Sequence, residues 1–276
     1  MSKTAIVFEF NDKAGFYSIL FFMLQAYIYS KQNLYSFFIS HNNWYYTYCN
    51  GWHDYFTSLE EFRQEYIENY TKIIYCSHMV MPNIPDYSIN KYIDALKEIY
   101  HLKPELIERA EIYIKYEIKD PNFAAIFVRR GDKISYGEAP HIEIDLIVKY
   151  IRDKEKEINK YFYNNIFVQT DDYRVIEDFR KIIASPNIIY STVSNSKYGS
   201  HARFWKRYTQ DERKKQTEEM LIGLYICIRA KICFTDYTSN VGRFLKLSNF
   251  DNVKFYMKDV LINKDIPVKN PAYGFA

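Results

Sequence analysis

Nothing in this 276-residue chain reads as a disulfide or zinc framework. Its four cysteines, Cys49, Cys76, Cys227 and Cys233, form no CxxC pair, and no histidine stands near them at zinc-finger spacing. They read as buried free thiols in a reducing compartment. Long apolar runs are missing too. The stretch from Ala14 to Tyr29 is closely flanked by Lys13 and Lys31 and falls short of the roughly 20 residues a helix needs to cross a bilayer. No signal peptide precedes the first strand, so the expected location is the cytoplasm. An excess of one charge is absent: 37 basic residues face 34 acidic ones, a net charge of +3, which argues against a dedicated nucleic-acid binder. Glycine is scarce where a nucleotide loop wants it. The first loop, Asn11 to Gly15, holds one glycine where a dinucleotide fingerprint has three. There is no Walker lysine motif, no GxSxG elbow, no internal repeat and no low-complexity run.

What is present is a packed globular composition, with 48% hydrophobic and 26% charged residues. The length fits one large domain or two of roughly 100–150 residues. Aromatic residues reach 18%, with 28 tyrosines. Such rings suit stacking on sugars and bases, although a proteome rich in Tyr, Ile, Lys and Asn is the plainer explanation. Patterning predicts strands at Ala5–Phe10, Leu34–Ser40 and Lys72–Cys76. It predicts helices over Phe16–Ser30, Ser58–Tyr70, Ile89–Tyr100 and Pro104–Tyr116. Ser58 with Glu61 three residues on resembles a capping box for the second of these. After the turn-prone Asp120-Pro121-Asn122 the alternation is plainer. Strands are predicted at Ala124–Arg129, Asn165–Thr170, Asn187–Ser191, Lys231–Thr235 and Val253–Met257. The intervening helices are Ile142–Lys160, Tyr173–Ala184, Asp211–Arg229 and Ser239–Leu247. Strands alternating with helices imply an α/β fold with parallel sheets covered on both faces. The expected domains are 1–120 and 121–276, and ligands should sit at the carboxyl ends of strands.

Three segments at such ends carry chemistry. In Phe127-Val128-Arg129-Arg130-Gly131-Asp132-Lys133, two arginines end a buried strand. Their planar forks suit phosphate oxygens, and a pair so placed calls for an anion unless it is a solvated turn bridged to Asp132. Thr170-Asp171-Asp172 follows the next strand. Its carboxylates can bind a metal with Asp236, orient an arginine, or cap the following helix. Tyr237-Thr238-Ser239-Asn240 opens a helix with hydroxyl residues, either as a phosphate cradle or as an ordinary cap. His141 and His201 stand alone. A basic and aromatic cluster, Arg203, Trp205, Lys206 and Arg207, reads as the lining of a ligand loop rather than a nucleic-acid surface.

Together these segments resemble the α1,6-fucosyltransferase family, which includes core-fucosylating and nodulation-factor enzymes. The similarity runs from the first strand to about Leu247 in the same order. It is carried by Asn43-Trp44…Gly51-Trp52, by Val128-Arg129-Arg130…Asp132-Lys133 with Glu138 and His141 after it, by Thr170-Asp171-Asp172, by His201…Arg207-Tyr208-Thr209 and by Tyr237-Thr238-Ser239-Asn240-Val241-Gly242-Arg243.

The resemblance implies a GT-B-like fold, two Rossmann-like domains whose parallel sheets face across a cleft. It implies an inverting glycosyltransferase that needs no metal, takes fucose from GDP-fucose and passes it to a glycan hydroxyl. Arg129 and Arg130 would neutralise the diphosphate, aided by Thr238, Ser239 and the Gly15 loop. Asp171 and Asp172 would orient the basic groups. Glu138 would be the base, with Lys133 beside it. Trp44 and Tyr46 are candidates for the acceptor side. The chain also departs from the family's pattern. Phe127 stands where the family has His beside the nucleoside, and Gly223 stands where an Asp reads guanine. Glu219, one helical turn before Gly223, is the alternative base reader. Glu138 lies one residue later than the family's spacing. A UDP-sugar is therefore the alternative donor, and an inactive glycan-binding protein the alternative of a different class.

Overall fold

The computed structural model describes residues 3–10, 14–41, 44–77, 79–81, 87–130, 143–157, 165–183, 189–190 and 208–256. Lys133, Glu138, His141, His201 and the Arg203–Arg207 cluster lie outside them. The chain divides into two compact units, Met1–Lys103 with Ala202–Lys215, and Pro104–His201 with Gln216–Ala276. The break after Lys103 comes earlier than the expected 120/121 boundary.

The first unit is built on three parallel strands, β1 (Thr4–Glu9), β2 (Ser36–Ser40) and β3 (Lys72–Cys76), in the order β2-β1-β3. β1 is central and its residues Ala5 to Phe8 are fully buried, which explains its continuous apolar run. Helix α1 (Phe16–Gln32) is apolar on nearly every side and is buried along its length. Helix α2 (Ile89–Ile99) packs beside it, linked by Tyr27 Oη donating to Glu98 at 2.6 Å and by the Tyr17–Tyr100 hydroxyl pair at 2.9 Å. On the opposite face Phe38 packs with Ala5 and Val7 against Phe62, Tyr66 and Tyr70.

The helix expected over Ser58–Tyr70 is not there. Glu60 to Phe62 run extended along the free edge of β2: Ile39 N donates to Glu60 O at 3.0 Å and Phe62 N to Ile39 O at 2.9 Å. Only a 3-10 segment, Gln64–Asn69, follows. The capping-box pattern lost to tertiary pairing. Covering an open strand edge and seating Phe62 on Phe38, ring centroids 5.6 Å apart, satisfies more backbone and apolar surface than one exposed helix.

The second unit holds a five-stranded, all-parallel sheet ordered β6-β5-β4-β7-β8. Its strands are β4 (Ala124–Val128), β5 (Ile166–Thr170), β6 (Ile189–Tyr190), β7 (Ile232–Thr235) and β8 (Val253–Phe255). Between them come α4 (Ile144–Glu157), α5 (Arg174–Ile182), α6 (Gln210–Arg229) and α7 (Asn240–Ser248). Helix α3 (Pro104–Tyr113), ending in a π turn at Ile114–Ile118, precedes the sheet. Alternation along β4 sorts the two faces. Ala124, Ile126 and Val128 share a core with Ile147 and Ile151 of α4 and with Val175 and Phe179 of α5. Residues of opposite phase meet α3 and α6: Tyr113 lies edge-on to Phe167, and Gly223 abuts Gln169. Glu111 ties α3 to α6 by accepting from Tyr225 Oη and Arg229 Nε, both at 2.9 Å.

The expected fold class holds: α/β, with parallel sheets in two Rossmann-like halves. Helix α6 counts with the first unit through Lys215 and with the second from Gln216. Among the described residues no helix is long and apolar enough to cross a membrane.

Candidate functional site

Strand register builds the site. β4 and β5 run parallel with Val128 opposite Thr170, so the next residue of each strand, Arg129 and Asp171, also falls side by side. Arg129 Nη1 donates to Asp171 Oδ2 at 2.5 Å, and the other carboxylate oxygen accepts from Arg130 N at 2.9 Å. One carboxylate therefore fixes both the first guanidinium and the backbone carrying the second. The Arg130 side chain turns to α5, where Nη1 donates to Asp178 Oδ2 at 2.7 Å. Partial burial pushes the Asp178 carboxyl up, but the bonds from Arg130 and Lys181 outweigh this and hold it below the usual carboxylate range.

Both guanidiniums are largely buried, with side chains 16% and 13% exposed, which excludes the reading of a solvated surface turn. The expectation that an external anion must balance their charge needs correcting, because Asp171 and Asp178 supply two negative charges. What remains is a surplus of donors. Arg130 Nε is buried and has no hydrogen-bond partner among the described residues, and such an orphan costs about 1–3 kcal/mol unless something bonds to it.

Asp172 does different work from its neighbour. It is 1% exposed and turned to α5. Its Oδ1 accepts from Arg174 N at 3.0 Å, and the Arg174 fork grips both oxygens, with Nε at 2.9 and 3.1 Å and Nη2 at 2.5 Å. Of the uses left open for this acidic pair, Asp171 orients the arginines and Asp172 anchors the start of a helix.

The third segment is organised by Asp236, which sequence reasoning had weighed only as a metal partner. Its buried carboxylate accepts from Ser239 N at 2.7 Å, Thr238 Oγ1 at 2.9 Å and Ser239 Oγ at 3.0 Å. Ser239 Oγ in turn accepts from Gly242 N at 3.0 Å, capping α7. Both hydroxyls are thus engaged in building the cap, and any ligand here would meet backbone amides first. Gly242 is required by packing: a Cβ there would lie 1.8 Å from Asp236 O. Next to this loop, burial first and Asp236 second push the Tyr256 phenol far up, so it stays protonated and donates to Phe127 O at 3.2 Å.

The remaining expected residues fall as follows. Phe127 is buried in β4, directly opposite Gln169 in β5. Gly223 is also buried, and a Cβ on it would lie 1.9 Å from Gln169 Oε1. The place assigned by resemblance to a base-reading carboxylate is therefore taken by the Gln169 amide, which sequence reasoning missed. Glu219 is half-buried one turn earlier on α6. Gly15 precedes α1 at φ −66°, a conformation any residue adopts, with nothing within 4 Å of where a Cβ would lie. Trp44 and Tyr46 lie in an aromatic core. Trp44 is 4.6 Å from Phe10 and 5.3 Å from Phe16 between ring centroids, and Tyr46 Oη accepts from Phe16 N at 3.1 Å. Neither ring offers an open face for stacking a sugar. Asp178 was hidden because nothing sets it apart from Glu177 beside it in the sequence; only the nearness of Arg130 in space gives it meaning.

No protein-family model matches the chain, and no curated protein sequence does. Solved structures do. The chain is similar to the fucosyltransferase NodZ from Bradyrhizobium with a TM-score of 0.59 at 14% identity, covering 91% of this chain and 97% of that one. It is similar to the NodZ α-1,6-fucosyltransferase in crystals soaked with GDP-fucose, with a TM-score of 0.57 at 14% identity over 89% and 92% of the two chains. A variant of Arabidopsis thaliana FUT1 in complex with GDP gives 0.54 at 8% identity over 92% and 70%. At these identities the likeness establishes a shared fold.

Proposed function

We propose that the chain is a glycosyltransferase that moves fucose from GDP-fucose to a hydroxyl of a glycan, by a single inverting displacement that requires no metal. The observation that carries this reading is Arg130. It ends the central strand of a parallel sheet, is largely buried, and keeps an unpartnered Nε beside two carboxylates that already hold the rest of the site in shape. A donor diphosphate would take that N–H and share the Arg129 and Arg130 forks. The shared fold supports the reading, since one NodZ crystal was soaked with GDP-fucose.

In the proposed reaction the acceptor oxygen attacks the anomeric carbon and the carbon–oxygen bond to the diphosphate breaks, leaving its electron pair on phosphate. The hydroxyl proton passes to a carboxylate, for which Glu138 is proposed with Lys133 beside it. Negative charge grows on the leaving group, so preorganised guanidiniums stabilise the transition state more than the ground state. The second unit would hold the donor and the first the acceptor. The reaction would take place in the cytoplasm, where free thiols persist.

A specific observation favours a second reading of the base. With Gln169 filling the place beside Gly223, the nucleoside would meet an amide rather than a carboxylate, which leaves UDP-sugars as donors. Melting-temperature shifts with GDP, UDP and their sugars separate the two, because only the cognate nucleotide stabilises the fold. Nucleotide release from the preferred sugar donor should persist with chelator present. It should fall about 100-fold or more in Arg130→Ala while the fold is kept. Near-normal turnover by Arg130→Ala would remove the donor assignment, dependence on a divalent ion would remove the metal-free mechanism, and no turnover of any donor would leave only glycan binding.

A further inference from the structure

An arginine side chain has an edge, carrying Nε and Nη2, that can give two parallel hydrogen bonds to one oxyanion. Arg174 uses that edge in this chain: its Nε and Nη2 together grip the Asp172 carboxylate. Arg130 does not. Its ion pair with Asp178 is made end-on, through Nη1 alone, at 2.7 Å. Among the described residues no hydrogen bond engages its Nε or Nη2. A largely buried arginine beside a carboxylate gains most from the two-point grip, so the single contact calls for a cause.

The cause lies on α5. Val175, Ile176 and Phe179 are buried in the core that this helix shares with β4. Their burial fixes the helix, and with it Asp178, the residue before Phe179. Asp178 turns Oδ2 to Arg130, while Lys181, one turn on, donates to Oδ1 at 3.3 Å. With its second oxygen drawn to Lys181, the carboxylate meets one tine of the guanidinium instead of two. At the other end of the residue, Asp171 accepts from Arg130 N at 2.9 Å. Arg130 is thus held at its backbone and at Nη1, and any rotation that turned the Nε–Nη2 edge away would break the bond to Asp178.

An arginine side chain carries about 2 kcal/mol of rotamer entropy. Asp178 removes part of it before any ligand arrives, which is the advantage of a preorganised site over a flexible one. We propose that Asp178 is a positioning residue: by holding Nη1 it keeps the Nε–Nη2 edge of Arg130 turned to an oxyanion. That the oxyanion is the diphosphate of a sugar donor rests on the fucosyl-transfer reading. Asp178 acts through Arg130 and touches no substrate itself. A mere counter-charge would serve in many geometries, whereas this role depends on one bond, from Nη1 to Oδ2.

A double-mutant cycle on nucleotide release tests it, run below the melting temperature of every variant. Asp178→Ala should lower kcat about 10- to 100-fold while the donor KM changes less than about threefold. Asp178→Asn keeps an acceptor oxygen in the same place and should lose less. In an Arg130→Ala background Asp178→Ala should have no further effect, because the residue through which it acts is gone. Equal losses in the two backgrounds, or a kcat for Asp178→Ala within about twofold of wild type, overturn the proposal. A second readout needs no donor. With the Arg130 signals assigned through Arg130→Lys, its two Nη groups should give resolved NMR signals in wild type that merge in Asp178→Ala, and inorganic pyrophosphate should move the wild-type signals saturably. Merged signals in wild type, or signals unmoved by pyrophosphate, also overturn it. Resolved, pyrophosphate-sensitive signals without nucleotide release from any sugar donor would sink the donor reading and leave Asp178 in its role.

Discussion

Replacing Gly242 by alanine tests whether the start of α7 is seated on the end of β7 as tightly as described. The added Cβ would lie 1.8 Å from Asp236 O and 2.9 Å from Thr235 Oγ1, whereas real Cβ contacts essentially never fall below 3.0 Å. A relief of about 1.2 Å is needed, the difference between the closer contact and that limit. The obstacle is a backbone oxygen, so no side-chain rotation clears it. Either α7 lifts from the strand or the 236–239 loop unwinds. Overpacking of this kind costs about 1–3 kcal/mol, and losing the Ser239 cap adds about 1 kcal/mol. Together, about 2–4 kcal/mol corresponds to a fall in melting temperature of roughly 5–15 °C for a unit of this size. Thermal unfolding followed by circular dichroism reads it out, and under the proposed donor reading the shift produced by GDP should shrink as this loop opens. A melting temperature within about 2 °C of wild type would refute the close seating.

Gly15→Ala is the matched contrast: nothing stands within 4 Å of the new Cβ and φ is already negative, so stability should hold or rise by about 0.4–1 kcal/mol, and any loss of donor affinity would mark Gly15 as a point of close ligand approach. Of the four cysteines only Cys49 is exposed. Burial pushes the Cys76 thiol up to about 12, and burial together with the neighbouring Cys233 also raises the Cys227 thiol. One equivalent of thiol should therefore react quickly with Ellman's reagent in the native protein, with the rest reacting in denaturant; several fast thiols would contradict the core. Asp178 has a folded-state pKa held below its unfolded value of about 3.9. Its contribution to stability is thus present above that value and is lost as pH falls through the lower folded one. The melting-temperature gap between wild type and Asp178→Asn should accordingly be full at pH 6 and shrink toward pH 3, and a gap independent of pH would show that Arg130 does not hold this carboxylate.

Much of the fold could be read in advance because its elements carry their own periodicity. The β4 run Ala124 to Val128 is buried on both faces and reads as continuously apolar, and α5 shows Val175, Ile176 and Phe179 on one stripe. Boundaries moved by a residue or two where backbone pairing ends before side-chain pattern does, as at Arg129. Ser58 to Tyr70 could not be read, because its local signals favour a helix while its outcome was set by the unpaired edge of β2, some twenty residues earlier in the chain. Leu59 takes a positive φ of 67° there, a cost that no local preference would accept without the edge pairing that follows it.

The candidate site was legible in its cations and illegible in its counter-charges, and the reason is geometric. Two arginines in a row after an apolar strand are visible as such. Which acids meet them depends on register: Val128 opposite Thr170 brings Asp171 to Arg129, and two helical turns further on Asp178 reaches Arg130. Shifting that register by one residue would exchange Asp171 and Asp172 between opposite faces. It would bury the carboxylate that now steers the arginines under a helix and turn the helix anchor toward the site. Charge counting from the sequence pointed to an anion because it saw two cations. The geometry replaces that argument with a narrower one. Among the described residues Asp171 and Asp178 match the charges of Arg129 and Arg130, and it is Arg130 Nε that lacks a hydrogen-bond partner. For the proposed diphosphate, charge alone would therefore contribute little, whereas an oxygen fixed at that nitrogen would add a bond that the described residues leave unmade.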